Sequence, residues 1–236
     1  MEYLFIIGIS IICLIILAII YNVRISTIKK IKELGFSEEL NEITNKLPEN
    51  AVVCEEILKQ IGNNRNVKVV QDENKNAKAS LYIVLTNTIS IANINKTCTR
   101  IQTVAHECIH SIQNKKLLIF NFIFSNIYIL YFLVISVLTF FNIIQNPVIQ
   151  VYILTLFSFI YYKVRSFLET DAMTRAPYVA EEYMKDSKIL EENEIKKIMN
   201  SYKIINNLGI KIANFELFAK CIFKIIIYAF ICFLQW

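Results

Sequence analysis

The chain predicts a mainly α integral membrane protein, with three or four transmembrane helices and a small cytoplasmic α+β region. Three observations carry that prediction. Hydrophobic residues make up 55% of the 236 positions and charged residues only 19%, whereas charge in soluble domains is nearer a quarter. The apolar residues are gathered into charge-free runs about as long as a bilayer-crossing helix. Gly (4) and Pro (3) are scarce, so long helices are seldom interrupted, and collagen-like or Gly-rich linker chains are excluded.

Residues 3–21 hold no charge and form the first span. The start, Met1-Glu2-Tyr3, lacks the positive segment of a cleaved leader, so an uncleaved anchor is expected. Residues 22–66 read mostly as helix. Pro48-Glu49-Asn50 marks a helix start, and Gly62-Asn63-Asn64 its stop. Residues 67–71 and 81–86 are short β-branched or apolar runs with a polar segment, 72–80, between them, which predicts a hairpin with a loose loop. Residues 99–114 return to helical periodicity. Ile101, Val104, Ala105, Cys108, Ile109 and Ile112 form the apolar side of that helix.

Residues 117–163 are too long and apolar for one span and fit two. The break falls at Asn142 to Pro147, where Pro disfavours continuing the helix. Residues 164–212 are expected to be cytoplasmic helices. Residues 213–236 form a terminal transmembrane or interfacial helix; Glu216, Lys220 and Lys224 share one of its faces, and the span is favoured.

Lys and Arg set the orientation. Arg24, Lys29, Lys30 and Lys32 follow the first span, Lys115 and Lys116 precede the second, and Lys163 and Arg165 follow the third. The loop between the second and third carries no charge. Residues 22–116 and 163–212 then face the cytoplasm and the amino terminus lies outside, as in a multi-pass protein of a bacterial plasma membrane. A net charge of +5, from 25 basic and 20 acidic residues, is mild and not gathered into an aromatic-laced patch, so no nucleic-acid partner is expected. The six cysteines form no CxxC pair and read as buried thiols in a reducing compartment.

The chain has two histidines, and both stand in His106-Glu107-Cys108-Ile109-His110. Four residues of helix turn the chain through about 400°, so the two imidazoles project from one face, spaced to reach one Zn²⁺ at about 2.0–2.1 Å. Glu107 lies about 100° round the helix from His106, where it can serve a metal-bound water without becoming a ligand. This is the H-E-x-x-H arrangement of zinc peptidases. A catalytic zinc takes three protein ligands and an open position. Cys108 points about 200° away from His106 and should miss the metal. Cys98, ahead of the helix, stays open as a thiolate alternative. The favoured third ligand is Glu169, which shares a helix face with Ala172, Met173 and Ala176 and is returned to the same membrane face by the hairpin of spans. Asp171 and Arg175, four apart, read as an exposed pair.

These residues also resemble a family. Val104-Ala105-His106-Glu107-Cys108-Ile109-His110-Ser111-Ile112-Gln113 is similar to the V-A-H-E-x-G-H-A-x-Q segment of YugP-type membrane zinc metallopeptidases (neutral zinc metallopeptidase 2). Leu168-Glu169-Thr170-Asp171-Ala172 through Arg175-Ala176 is similar to that family's later E-x-D-A-x-R-R-A segment. The order of parts is similar along nearly the whole chain, and the Glu-x-x-Ala spacing resembles, more distantly, the CAAX-protease-like gluzincins. Ile109 stands where the family has Gly, Thr174 replaces an Arg, and Pro177 follows Ala176. The resemblance implies a zincin-like cytoplasmic region in which one Zn²⁺ is held by His106, His110 and Glu169, with Glu107 as the base.

The expected function is zinc-dependent peptide hydrolysis at the cytoplasmic membrane face, Glu107 being general base. The alternative is a non-catalytic zinc-binding membrane scaffold. Because Lys115 and Lys116 follow His110 closely, expected partners are the lipid bilayer and a peptide or membrane-protein substrate. The run 81–86 is an expected edge strand for an extended peptide. The sequence names no oxyanion donor, substrate or oligomeric state.

Overall fold

A computed structural model describes residues 1–72, 79–92 and 97–235. The fold is mostly helical, with one small sheet. In chain order the helices are α1 (Glu2–Ile20), α2 (Ile25–Gly35), α3 (Glu38–Thr44), α4 (Asn50–Gln60), α5 (Arg100–Ile112), α6 (Lys115–Phe140), α7 (Pro147–Ser187) and α8 (Glu192–Leu234), and the strands are β1 (Lys68–Gln71), β2 (Leu81–Ile83) and β3 (Thr88–Ile91). The chain divides into two compact units, and α6, α7 and α8 each contribute to both.

The first unit comprises Met1–Arg24, Ile119–Phe167 and Lys211–Trp236. Its helices are α1, most of α6, the start of α7 and the end of α8. Tyr3, Tyr128, Ile135, Val151, Leu154, Ile225, Tyr228 and Cys232 form its core. Polar groups pair inside it: Tyr128 with the Ser158 hydroxyl at 2.7 Å, Thr139 with the Tyr228 hydroxyl at 2.8 Å, and Tyr131 donating to Gln150 at 2.7 Å. Large apolar side chains cover the outside, among them Phe5, Leu130 and Phe159. Among the described residues, four helices (α1, α6, α7 and α8) are long and apolar enough to cross a membrane.

The turn between α6 and α7 falls where the sequence breaks. Asn142 takes φ 56°, a left-handed conformation that asparagine tolerates better than most residues. Pro147 opens α7, at the helix position where its missing N–H costs nothing. Pro177, by contrast, does not end a helix: α7 runs through it to Ser187 as one 41-residue element. The expected division at 212/213 is likewise not a helix boundary, because α8 is continuous over 43 residues; Trp236 lies outside the described residues.

The second unit comprises Ile25–Leu118 and Leu168–Ile210. Its core joins Val53, Cys54 and Ile57 of α4, Ile89 and Ile91 of β3, and Ile101, Val104, Ala105, Cys108 and Ile109 of α5. Ala172, Ala176 and Ala180 of α7 and Ile198 and Tyr202 of α8 complete it. Helix α4 starts and stops where Pro48 and Gly62 predict, and Gly62 takes φ 63°, a conformation that favours glycine.

The sheet differs from the expected hairpin. Strand order is β1-β3-β2. β1 pairs with β3 in parallel, Lys68 opposite Thr88 and Gln71 opposite Ile91. The antiparallel hairpin is β2–β3, Leu81 opposite Ser90 and Ile83 opposite Thr88. Its turn includes Asn87 at φ 52°. The unexpected strand, Thr88-Ile89-Ser90-Ile91, sits in the middle, because Ile89 and Ile91 reach the core while Thr88 and Ser90 face the other side. The expected loose loop 72–80 lies mostly outside the described residues, which omit 73–78 and 93–96.

Candidate metal centre

Helix α5 is amphipathic, and its inward stripe buries Ile101, Val104, Ala105, Cys108 and Ile109. Ile109 is wholly buried in that core, so its bulk is absorbed on the packed side of the helix. His106 and His110 meet edge to face, with ring centroids 4.6 Å apart. Their Nε2 atoms are 3.0 Å apart. Glu169 on α7 reaches both: its Oε2 is 3.4 Å from the His106 Nε2 and its Oε1 3.8 Å from the His110 Nε2. The three ligand atoms lie within 4.8 Å of one another, and they form the one metal-competent cluster among the described residues.

The donor set fits a divalent cation. Unprotonated imidazole nitrogens and a carboxylate converging this closely repel one another unless a proton or a cation stands among them. Ligands at about 2.0–2.1 Å from a tetrahedral ion stand roughly 3.3 Å from each other, and the observed separations of 3.0, 3.4 and 3.8 Å straddle that value. Two imidazoles and a carboxylate suit zinc. The His106 and Glu169 side chains each keep 18% of their surface exposed, so water reaches the cluster.

Glu107 is buried beside this cluster. Its Oε2 accepts the backbone N–H of Tyr82 at 2.7 Å. β2 is an edge strand, and in an antiparallel ladder alternate residues turn their amides away from the partner strand. Tyr82 is such a residue, and its outward amide goes to Glu107. The expected peptide-holding edge is therefore only three residues long, and its central donor is already engaged with the Glu107 carboxylate. The Tyr82 hydroxyl donates to Asn87 at 2.8 Å, and Asn87 in turn donates to the Arg65 carbonyl at 2.6 Å. The Arg65 guanidinium caps the end of α5 through the carbonyls of Ser111 (2.9 Å) and Gln113 (2.8 Å). Sheet and helix are thus tied at Glu107 and at the helix terminus. Sequence reasoning missed Tyr82, because a backbone amide leaves no side-chain signature.

The thiols point elsewhere. Cys98 is buried and donates to the Leu34 carbonyl at 3.3 Å, outside the cluster. Cys108 faces the opposite side of α5, with its Sγ 3.6 Å from that of Cys54. The hydrogen bond shared with Cys54, and then burial, push the Cys108 thiol well above its ordinary range. All six cysteines are free thiols.

Asp171 is not merely an exposed partner of Arg175. Its Oδ2 lies 3.6 Å from Arg175 but also accepts the Gln113 amide at 2.7 Å. Gln113 follows His110 by one helical turn, and its side chain bridges α5 and α7. The chain matches no protein-family model, no curated protein and no solved structure.

Proposed function

We propose that the protein is a zinc-dependent metallopeptidase of the cell membrane, similar to the YugP-type family, that hydrolyses peptide bonds at the cytoplasmic face. The observation carrying this reading is the convergence of His106, His110 and Glu169, with Glu107 held beside them by the Tyr82 amide. Zinc in that position supplies Lewis acidity, acidifying water and polarising a scissile carbonyl. His106, His110 and Glu169 would hold the ion. The Tyr82 amide fixes one carboxylate oxygen of Glu107, so the base needs little reorganisation to take the proton of the attacking water. Glu107 then delivers that proton to the leaving amine. The bilayer side of the proposal is supported by the four apolar helices and by the basic residues that flank them.

Metal analysis of the purified chain is expected to find about one zinc per molecule. Glu107→Gln is expected to keep the metal and to lose turnover of a peptide library by roughly 10²–10⁴-fold. A wild-type chain that binds no zinc ends the reading. Bound zinc with turnover equally absent from wild type and variant replaces it with a non-catalytic scaffold.

A further inference from the structure

We propose that Gln113, braced by Asp171, is a positioning residue that fixes the His110 tautomer and ties the two ligand-bearing helices together. The inference rests on the metal reading above and concerns residues beyond the ligands and the base.

The argument starts from the side-chain amide. An amide flipped by 180° exchanges its oxygen and nitrogen, so its orientation must be read from its partners. The Gln113 nitrogen faces two oxygens, the Leu168 carbonyl at 2.9 Å and Asp171 Oδ2 at 2.7 Å. A backbone carbonyl only accepts, and so does a carboxylate, so the NH₂ end must point there. The Gln113 oxygen is then committed to the other side, where it lies 2.8 Å from the His110 Nδ1. An amide oxygen only accepts, which makes Nδ1 the protonated nitrogen of a neutral His110. Nε2, the atom facing His106 and Glu169, is left with its lone pair. The opposite tautomer would aim an N–H at the position of the ion, and no bond to a metal would form.

The same amide sets a distance. His110 and Gln113 belong to the end of α5, while Leu168, Glu169 and Asp171 belong to one turn of α7. Three hydrogen bonds through one side chain therefore hold the Glu169 turn against His110. Arg175, 3.6 Å from the same Asp171 oxygen, offsets the charge that would otherwise face Glu169 two residues away.

The test uses the full chain in detergent, with ¹⁵N-histidine labelling and zinc titrated against a competing chelator. Two histidines give four ring nitrogens, so the tautomer is readable in the metal-free protein. Wild type should show His110 protonated at Nδ1. Gln113→Leu should lose that preference and bind zinc roughly 10–100-fold more weakly. Asp171→Asn, whose amide oxygen can still accept from Gln113, should keep the tautomer and most of the affinity. If Gln113→Leu does not fold, Asp171→Leu serves in its place, and a weakening of zinc binding is expected there too. Unchanged tautomer and unchanged affinity in the Leu variant overturn the inference and leave the metal reading standing. A wild-type chain that takes up no zinc overturns the metal reading, and this inference with it.

Discussion

Arg100 occupies the first turn of α5, where a positive charge opposes the helix dipole. Its guanidinium turns away from that terminus and donates to four oxygens: the carbonyls of Thr44 (2.5 Å), Leu47 (2.9 Å) and Pro48 (2.9 Å), and Asn50 Oδ1 (2.8 Å). The Thr44 carbonyl closes α3 and also accepts the Leu47 N–H at 3.1 Å, while those of Leu47 and Pro48 lie in the α3–α4 connection. Burial draws the Arg100 pKa down, but a guanidinium stays charged across the working range. The side chain thus anchors α5 to the α3–α4 connection and the start of α4 through three backbone carbonyls and one side-chain amide oxygen. Arg100→Met would remove this charged donor from all four oxygens, the Thr44 carbonyl keeping the Leu47 N–H. Hydrogen bonds to a charged donor contribute about 1.5–3 kcal/mol each and do not add, so a loss of roughly 3–5 kcal/mol is expected. In thermal unfolding this is a fall in Tm of roughly 6–20 °C. Arg100→Lys should recover little, because an ammonium cannot span the four oxygens as a planar fork does. A shift within about 2 °C for the Met variant would show that the cage contributes no stability.

Helix α7 brings Glu169 to the histidines by virtue of its small residues. Ala172, Ala176 and Ala180 are fully buried and recur every fourth residue, a stripe that lets a neighbouring element approach closely. Ala176→Leu should overpack the core at a cost of about 1–3 kcal/mol. It should also push the Glu169 turn outward and weaken zinc binding, measured by the same chelator competition. Tyr178→Ala, two residues on and 70% exposed, should change neither quantity. Equal behaviour of the two variants would show that close packing is not what positions Glu169. What could be read from the sequence here follows the range of the interactions. The His106–His110 face and the bounds of α4 depend on residues within a few positions, so spacing, Pro48 and Gly62 reveal them. The Ala stripe is visible for the same reason. The central strand β3 escapes notice because four residues make a short pattern, and its parallel pairing with β1 comes from elsewhere in the chain. Local propensity allows Pro177 to start a new helix or to kink the old one; α7 continues through it as one element, since burial of Ala176 and Ala180 on either side outweighs the local penalty. The Gln113–Asp171 bond joins residues 58 apart, a separation that no periodicity encodes.

The surface of the first unit is the reverse of a water-soluble bundle. Phe5 is 71% exposed, Leu130 63% and Phe159 59%, while hydroxyls pair in the interior. Apolar cover on this scale exceeds the patches that soluble monomers tolerate, and internally paired polar groups are what a hydrocarbon solvent demands. If those helices cross a bilayer with the charged flanks inside, the α6–α7 turn lies outside, while α4 and the start of α8 lie in the cytoplasm. The cysteines allow a direct test. Cys54, Cys98, Cys108, Cys221 and Cys232 are all 3% exposed or less, so replacing Cys13 by Ala should give a chain that is nearly silent to maleimide. On that background Gln145→Cys should react with a membrane-impermeant maleimide in intact cells. Lys59→Cys and Glu192→Cys, both at exposed positions, should react only after lysis. Reaction of residues 59 and 192 in intact cells, with 145 protected, would invert the topology and move the candidate metal centre outside. Reaction of 59 and 145 from the same side would mean that α6 does not cross at all. Release of the whole chain by an alkaline carbonate wash would remove the bilayer from the account, and the exposed apolar helices would then require a protein partner instead.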